Sequence, residues 1–336
     1  MPNQTGDKKP NIPGTNGSAN GSVPTEISGD VLVGGQAVIE GVMMRTPNAY
    51  AVSVRLMNGS IVREGGAVAK YSERWPILKK PVLRGVGTLV QSLVLGVKAL
   101  NYSASALAAA EEPEGRAAQG LSAWMLTLSL LFSAVIGAGL FIFLPLFLAG
   151  LLRSAAPAFQ NWLLFNLADG LIRLVIFLAY ICAMMISKDI RRVFEFHGAE
   201  HKVVYNWEAK KELTPANAGG YSRLHPRCGT SFLLIVMCVS IVVFSIFKFS
   251  SFWMLAASRI VLMPLIAGLS YEVIRWSAKQ NPGSKIFLAF KPGLLLQRLT
   301  TKEPDDSQLE VAIDALNYAL EIEKGVEAER AKEAAA

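Results

Sequence analysis

All three histidines of this chain fall between His197 and His225. The first two sit in Phe196-His197-Gly198-Ala199-Glu200-His201-Lys202, and the third in Leu224-His225-Pro226-Arg227-Cys228-Gly229. On a helix, a four-residue step puts His197 and His201 on one face, the spacing at which two imidazoles can share a metal ion. Glu200 completes H-x-x-E-H, a pattern in which a glutamate beside two zinc-binding histidines can act as general base. His225 and Cys228 would supply a third and a fourth ligand, and zinc accepts such a mixed nitrogen and sulfur set. Glu208, seven residues after His201 and on its face, and Glu272 could each be a further ligand, a base, or a group that orients an imidazole.

A plainer explanation competes with this one. Ile190, Val193, Phe194, Val204 and Tyr205 recur on the same helical face, so the histidines could be packed and hydrogen-bonded against neighbouring helices. If a metal is bound, two sites are open. A site with a free position would activate water; a closed site would only hold segments together.

Other residues could also do chemistry. Asp169 and Arg173 are four apart in an apolar run, and Arg259 interrupts another. Charges inside a bilayer pair with one another or line a polar path, so these three are either a helix-locking charge pair or part of an ion route. Near the N-terminus, Gly34, Gly35 and Gly41 stand close to polar Gln36, Glu40 and Arg45. Such a glycine-rich stretch could be a ligand loop, because glycine lets backbone approach closely. No phosphate-loop template fits it, and a β-bulge and turn is the competing assignment.

The elements that must carry these residues follow from composition. Of 336 residues, 52% are hydrophobic and 18% charged, with a formal net charge of +7. Soluble domains carry about 25% charged residues, so the balance points to a bilayer. Apolar runs over about 121–149, 162–187, 229–247 and 249–271 are each long enough to cross one. Lysine and arginine concentrate in the 188–228 connection, before the first run and after the fourth. The two other connections offer only Arg153 and Lys248. That asymmetry places both termini and the histidine loop in the cytosol. The positive charge is therefore topology, and nucleic acid is not an expected partner. Three cysteines are too few for a disulfide scaffold.

Val82 to Ala110 carries one apolar stripe, Leu83, Val86, Val90, Leu93, Val97 and Leu100, interrupted elsewhere by Arg84, Gln91 and Lys98. It reads as a helix lying at the interface or packed on the bundle. Pro264 with Gly268 would permit a kink in the fourth span. Asn58-Gly59 between two apolar runs marks a β-hairpin. Leu309, Ala312, Ile313, Leu316 and Leu320 form the stripe of a C-terminal helix. The chain thus divides into a disordered tail (1–30), a small β unit (31–78) and the amphipathic helix (79–112). A membrane domain (113–276) with its cytosolic loop (188–228) follows, then a loop over Lys279–Pro292 within a cytosolic tail (277–336) whose helix covers about 307–332. The fold class is a mainly α-helical integral membrane protein: a four-span bundle with a β-hairpin unit and an interfacial helix.

At these residues the chain resembles the YqhQ-like family of bacterial membrane proteins, a family of unknown function labelled as a predicted metal-dependent enzyme. The resemblance runs from about Val33 to Leu299. It rests on GGQAVIEGVMMR (Gly34 to Arg45), LRGVGTLVQSLVLGVKAL (Leu83 to Leu100), FHGAEHK (Phe196 to Lys202), HPRCGTSF (His225 to Phe232) and Ser270-Tyr271-Glu272. It implies a multi-pass protein of the bacterial cytoplasmic membrane, with His197, Glu200, His201, His225 and Cys228 as the metal site, and it implies no substrate. Three functions are compatible with the sequence. The first is a zinc-dependent hydrolase at the cytosolic face. The second is a scaffold or assembly factor with a structural metal, recruiting protein partners through the β unit and C-terminal helix. The third is a small ion or solute transporter built on Asp169, Arg173 and Arg259.

Overall fold

The computed structural model describes residues 31–111, 123–226, 228–249, 251–277 and 291–335. The expected N-terminal tail and nearly all of the expected Lys279–Pro292 loop lie outside them. After a four-stranded sheet come the single turn α1 (Tyr71–Arg74) and the long α2 (Leu83–Glu111). Next, α3 (Ala123–Ala138) runs through a π-helical turn into α4 (Leu144–Ala155), followed by α5 (Trp162–Met184), α6 (Lys188–Glu208) and the short α7 (Pro215–Gly219). Then come α8 (Gly229–Ile246), α9 (Phe252–Val261), α10 (Met263–Ser277), α11 (Lys291–Thr300) and α12 (Asp306–Ala335).

Four helices among the described residues are long and apolar enough to cross a membrane: Leu83–Ala110, Thr127–Ala155, Trp162–Met184 and Gly229–Ile246. Three of them coincide with expected spans. The fourth expected span is broken, since α9 and α10 meet at 47°. The break falls at Leu262, ahead of Pro264, because proline is tolerated in the first turn of a new helix but not within a continuing one. Gly268 serves a different purpose from the expected kink. A Cβ there would lie 2.5 Å from the Val82 carbonyl oxygen, and one on Gly85 would lie 2.7 Å from Cβ of Tyr271, so the two glycines let the start of α2 cross α10 closely.

The sheet is an antiparallel meander, β1 (Gly34–Val38), β2 (Gly41–Arg45), β3 (Ala49–Arg55) and β4 (Ile61–Ala67), in that order. The expected hairpin is present: Gly59 at φ +86° turns the chain between β3 and β4. The glycine-rich stretch is itself the β1–β2 hairpin, turning at Glu40 with φ 52°. Alternation along the strands splits their side chains between two cores. Val42, Met44 and Ala51 pack against Phe196, Ala199 and Val203 of α6 and against Leu309, Leu316 and Leu320 of α12. Met43, Tyr50, Val52 and Val54 pack against Leu95 and Ala99 of α2. The C-terminal helix is thus a structural half of the β unit rather than a separate tail.

In the apolar bundle, Arg173 reaches Oδ2 of Asp169 at 2.9 Å and Arg259 reaches the same oxygen at 3.3 Å. Arg259 also donates to Oδ1 of Asn166 at 2.9 Å and lies 3.9 Å from the Phe244 ring centroid. One carboxylate is therefore shared by two guanidiniums, tying α5 to α9 across the face of α8.

Candidate metal centre

Helix α6 begins where Ser187 caps it, with Asp189 in its first turn. Its buried face rests on the sheet, and His197 and His201 project from it with ring centroids 4.5 Å apart. Cys228 enters from another direction: it caps the N-terminus of α8, where its sulfur accepts from the Thr230 N–H at 3.5 Å. One nitrogen of each histidine and the Cys228 sulfur lie within 4.8 Å of one another. Nε2 of His197 is 3.3 Å from Sγ.

Backbone carbonyls set the tautomers. Nδ1 of His197 bonds to the Thr300 carbonyl at 2.8 Å, and Nδ1 of His201 to the Arg223 carbonyl at 2.6 Å. A carbonyl only accepts, so each Nδ1 carries a proton and each Nε2 points inward, where the neutral ring offers a lone pair. Nε2 of His201 is buried and has no hydrogen-bond partner among the described residues. Instead it faces Oε2 of Glu200 at 3.5 Å. A lone pair held against a carboxylate in a buried site calls for a cation between them, either a proton or a metal ion. Burial disfavours charge on His201, but Glu200 and Cys228 outweigh it and hold its pKa above the ordinary histidine value. The donor set fits zinc: two imidazoles with backbone-bonded outer nitrogens, and a sulfur at a helix N-terminus.

The other expected site residues are placed differently. His225 stands outside the three-donor cluster, with its ring 5.7 Å from that of His201 and its Nε2 3.5 Å from Oε1 of Glu208. Burial and His201 push its pKa down to about 4. Glu208 therefore accompanies His225. Glu272 is engaged on α2, where its oxygens accept from Arg84 Nε at 2.7 Å and from the Val82 N–H at 3.1 Å. Glu40 pairs with Arg192 of α6. A Cβ on Gly35 would meet the Met43 carbonyl at 2.4 Å and Cγ of Glu200 at 3.0 Å, so the glycine-rich strand is what Glu200 lies against.

The family model for a protein of unknown function, DUF1385, matches residues 80–322. The chain is 36% identical over 302 residues to the uncharacterised protein YqhQ of Bacillus subtilis (strain 168), covering 86% of this chain and 92% of that one. This chain belongs to the DUF1385 family. No solved structure matches it.

In this DUF1385 protein several positioning residues gave little sign of themselves in the sequence. Gln297 of α11 accepts from the His225 N–H and donates to the His225 carbonyl, both at 2.8 Å, and donates to Ser231 Oγ at 3.2 Å. Arg223 bonds to Thr301 and steadies the carbonyl that holds His201. A Cβ on Gly198 would lie 2.0 Å from the Lys302 carbonyl, so only glycine lets the Thr300–Lys302 segment pass against α6 and reach His197. The one available signal was a lone glutamine in the run Gly293-Leu294-Leu295-Leu296-Gln297.

Proposed function

We propose that this is a multi-pass protein of the bacterial cytoplasmic membrane carrying a zinc centre of His197, His201 and Cys228 at its cytosolic face, and that the centre works as a hydrolase with Glu200 as general base. The observation that carries the reading is the buried, inward-facing Nε2 of His201, without a hydrogen-bond partner among the described residues and 3.5 Å from Oε2 of Glu200. When bound, zinc with three protein donors would supply a polarised water at near-neutral pH. The residues' own work is separable from that. The Thr300 and Arg223 carbonyls fix the two imidazole tautomers. Cys228 presents its sulfur from the N-terminus of α8, and buried Glu200 offers Oε2 as a proton acceptor.

A structural metal is the second reading, and a specific arrangement favours it. The donors and the carbonyls that orient them join α6, the loop before α8 and the end of α11 at one point. Cysteine among the donors is also more usual in structural sites. In that case the protein would be a scaffold whose β unit and α12 recruit partners.

Elemental analysis of detergent-purified protein should find about one zinc per chain, lost in His201→Ala and Cys228→Ala and kept in Glu200→Gln. No zinc, and none rebound on addition, overturns the centre. Cobalt substitution then separates the two readings. A hydroxamate that shifts the visible cobalt spectrum marks an open position and favours the hydrolase; an unresponsive spectrum favours the closed, structural site.

A further inference from the structure

A cavity of about 460 Å³ opens between the sheet and α2, lined among others by Gly34, Gln36, Met43, Arg45, Ser92 and Leu95. It is distinct from the metal centre. Side chains alternate along β1, so the Gly35 position faces Glu200 while Gln36 turns the other way, against Gly96 of α2. The glycine-rich strand thus borders two different sites.

Arg45 is the charged residue of this cavity, and it is unlike the arginines around it. Arg55, Arg84 and Arg192 each pair with a glutamate: Glu310, Glu272 and Glu40 respectively. Arg45 has no carboxylate partner among the described residues. Its one hydrogen bond is a long one, to Ser92 Oγ at 3.4 Å. Burial pushes its pKa below the ordinary arginine value, and Tyr271 offsets only part of that. Arginine stays protonated in proteins, so the cavity holds a half-buried cation with most of its donors unused by protein among the described residues.

The rim is apolar. Leu32, which lines the cavity, is 67% exposed, and Leu93, next to the lining residue Ser92, is 68% exposed on an α2 that has the hydropathy of a membrane helix. A half-buried planar cation suits a phosphate, which it can bind through two parallel hydrogen bonds. An exposed apolar helix face beside it suits hydrocarbon. We propose that this cavity binds the phosphate of an anionic membrane lipid, with Arg45 and Ser92 on the headgroup and Leu32 and Leu93 against the acyl chains. The proposal rests on the membrane reading and is independent of the metal centre.

The test uses full-length protein in a non-ionic detergent, titrated with short-chain phosphatidylglycerol, phosphatidylcholine of the same chain length, or inorganic phosphate, and read by thermal shift and native mass spectrometry. Phosphatidylglycerol should bind and stabilise the protein more than the other two. Arg45→Gln should weaken that binding by about tenfold or more. Gly34→Leu should do the same by filling the cavity, since a Cβ at Gly34 meets no atom within 4 Å. It carries the test should Arg45→Gln fail to fold. Inorganic phosphate stabilising equally well through Arg45 would assign the cavity to a soluble phosphate and overturn the lipid. Phosphatidylglycerol binding that neither variant weakens would overturn the site itself.

Discussion

Gln297 makes a sharp test of how the histidine loop is held, because it can bind no metal ion and touches none of the three donors. Its amide closes both backbone hydrogen bonds of His225, three residues before Cys228. Gln297→Ala would strand a buried N–H and a buried carbonyl, at a cost of about 1–3 kcal/mol each before relaxation. The expected outcome is a lower melting temperature, together with zinc affinity weakened roughly tenfold through lost orientation of the loop that carries Cys228. A chelator competition on the purified variant checks this; unchanged affinity would mean that the loop is set by Cys228 capping α8 alone. The residue scale also separates what could be read in the sequence from what could not. H-x-x-E-H was legible because the helical repeat alone places His197, Glu200 and His201. Cys228 was legible because it is a thiol next to a histidine block. Thr300 orients His197 from 103 residues away, and no local pattern reports that contact. Glu272 misled for a similar reason: topology brought it to the correct end of the bundle, but its Arg84 partner, 188 residues distant, decided where it points.

At the scale of elements, α12 is the member whose role the sequence understated. Its apolar stripe was plain, and Leu309, Ala312, Ile313, Leu316 and Leu320 are all buried. One turn further on, Glu323 is also buried, and its carboxylate accepts from Thr46 Oγ at 2.7 Å, the Asn48 N–H at 2.8 Å and Asn48 Nδ2 at 2.6 Å. A helix residue therefore caps the turn between β2 and β3. A glutamate in an Ala, Glu and Lys-rich tail gives no sign of this, because its partners lie more than 270 residues earlier. Glu323→Ala leaves the two Asn48 donors unsatisfied in a closed site, while the Thr46 hydroxyl keeps the Ala49 carbonyl at 3.1 Å, and charge-assisted bonds are the stronger class. We expect a loss of roughly 3 kcal/mol in the stability of the β unit, measured by chemical denaturation of the detergent-solubilised protein. Zinc should stay bound below the transition. Glu323→Gln, which keeps one acceptor oxygen, should fall between the two. A fully stable alanine variant would mean that water replaces the carboxylate.

For the whole molecule, the proposed membrane placement raises the question of how many times the chain would cross, since four separate helices and one bent pair are long and apolar enough among the described residues. Packing limits the answer. The sheet, α6 and α12 share one core, through Val42 and Met44, Phe196 and Val203, and Leu309 and Leu316. All three therefore lie on one side, and the number of crossings between any two of them must be even. Between the sheet and α6 lie α2, the α3–α4 rod and α5, so only two of these three can cross. The rod and α5 have no core in common with the sheet. Helix α2 does, since Leu95 and Ala99 are buried against Val38, Met43 and Val52, and spanning would drag a sheet bearing Arg55, Arg63 and Glu64 into hydrocarbon. Between α6 and α12, α8 and the bent α9–α10 pair make the second even set; α11, with ten residues, is too short to cross. The expectation is four crossings, with α2 lying along the membrane. Single cysteines at Asn58, Glu310, Gln160 and Lys248, in a protein that keeps buried Cys228 but lacks Cys182 and Cys238, test this with an impermeant maleimide on intact cells, with the parent lacking them as the blank. Gln160→Cys and Lys248→Cys should label, whereas Asn58→Cys and Glu310→Cys should label only after lysis. Labelling of Asn58→Cys without Glu310→Cys would put the sheet and its own covering helix on opposite sides, and would overturn both the crossing number and the shared core on which it rests.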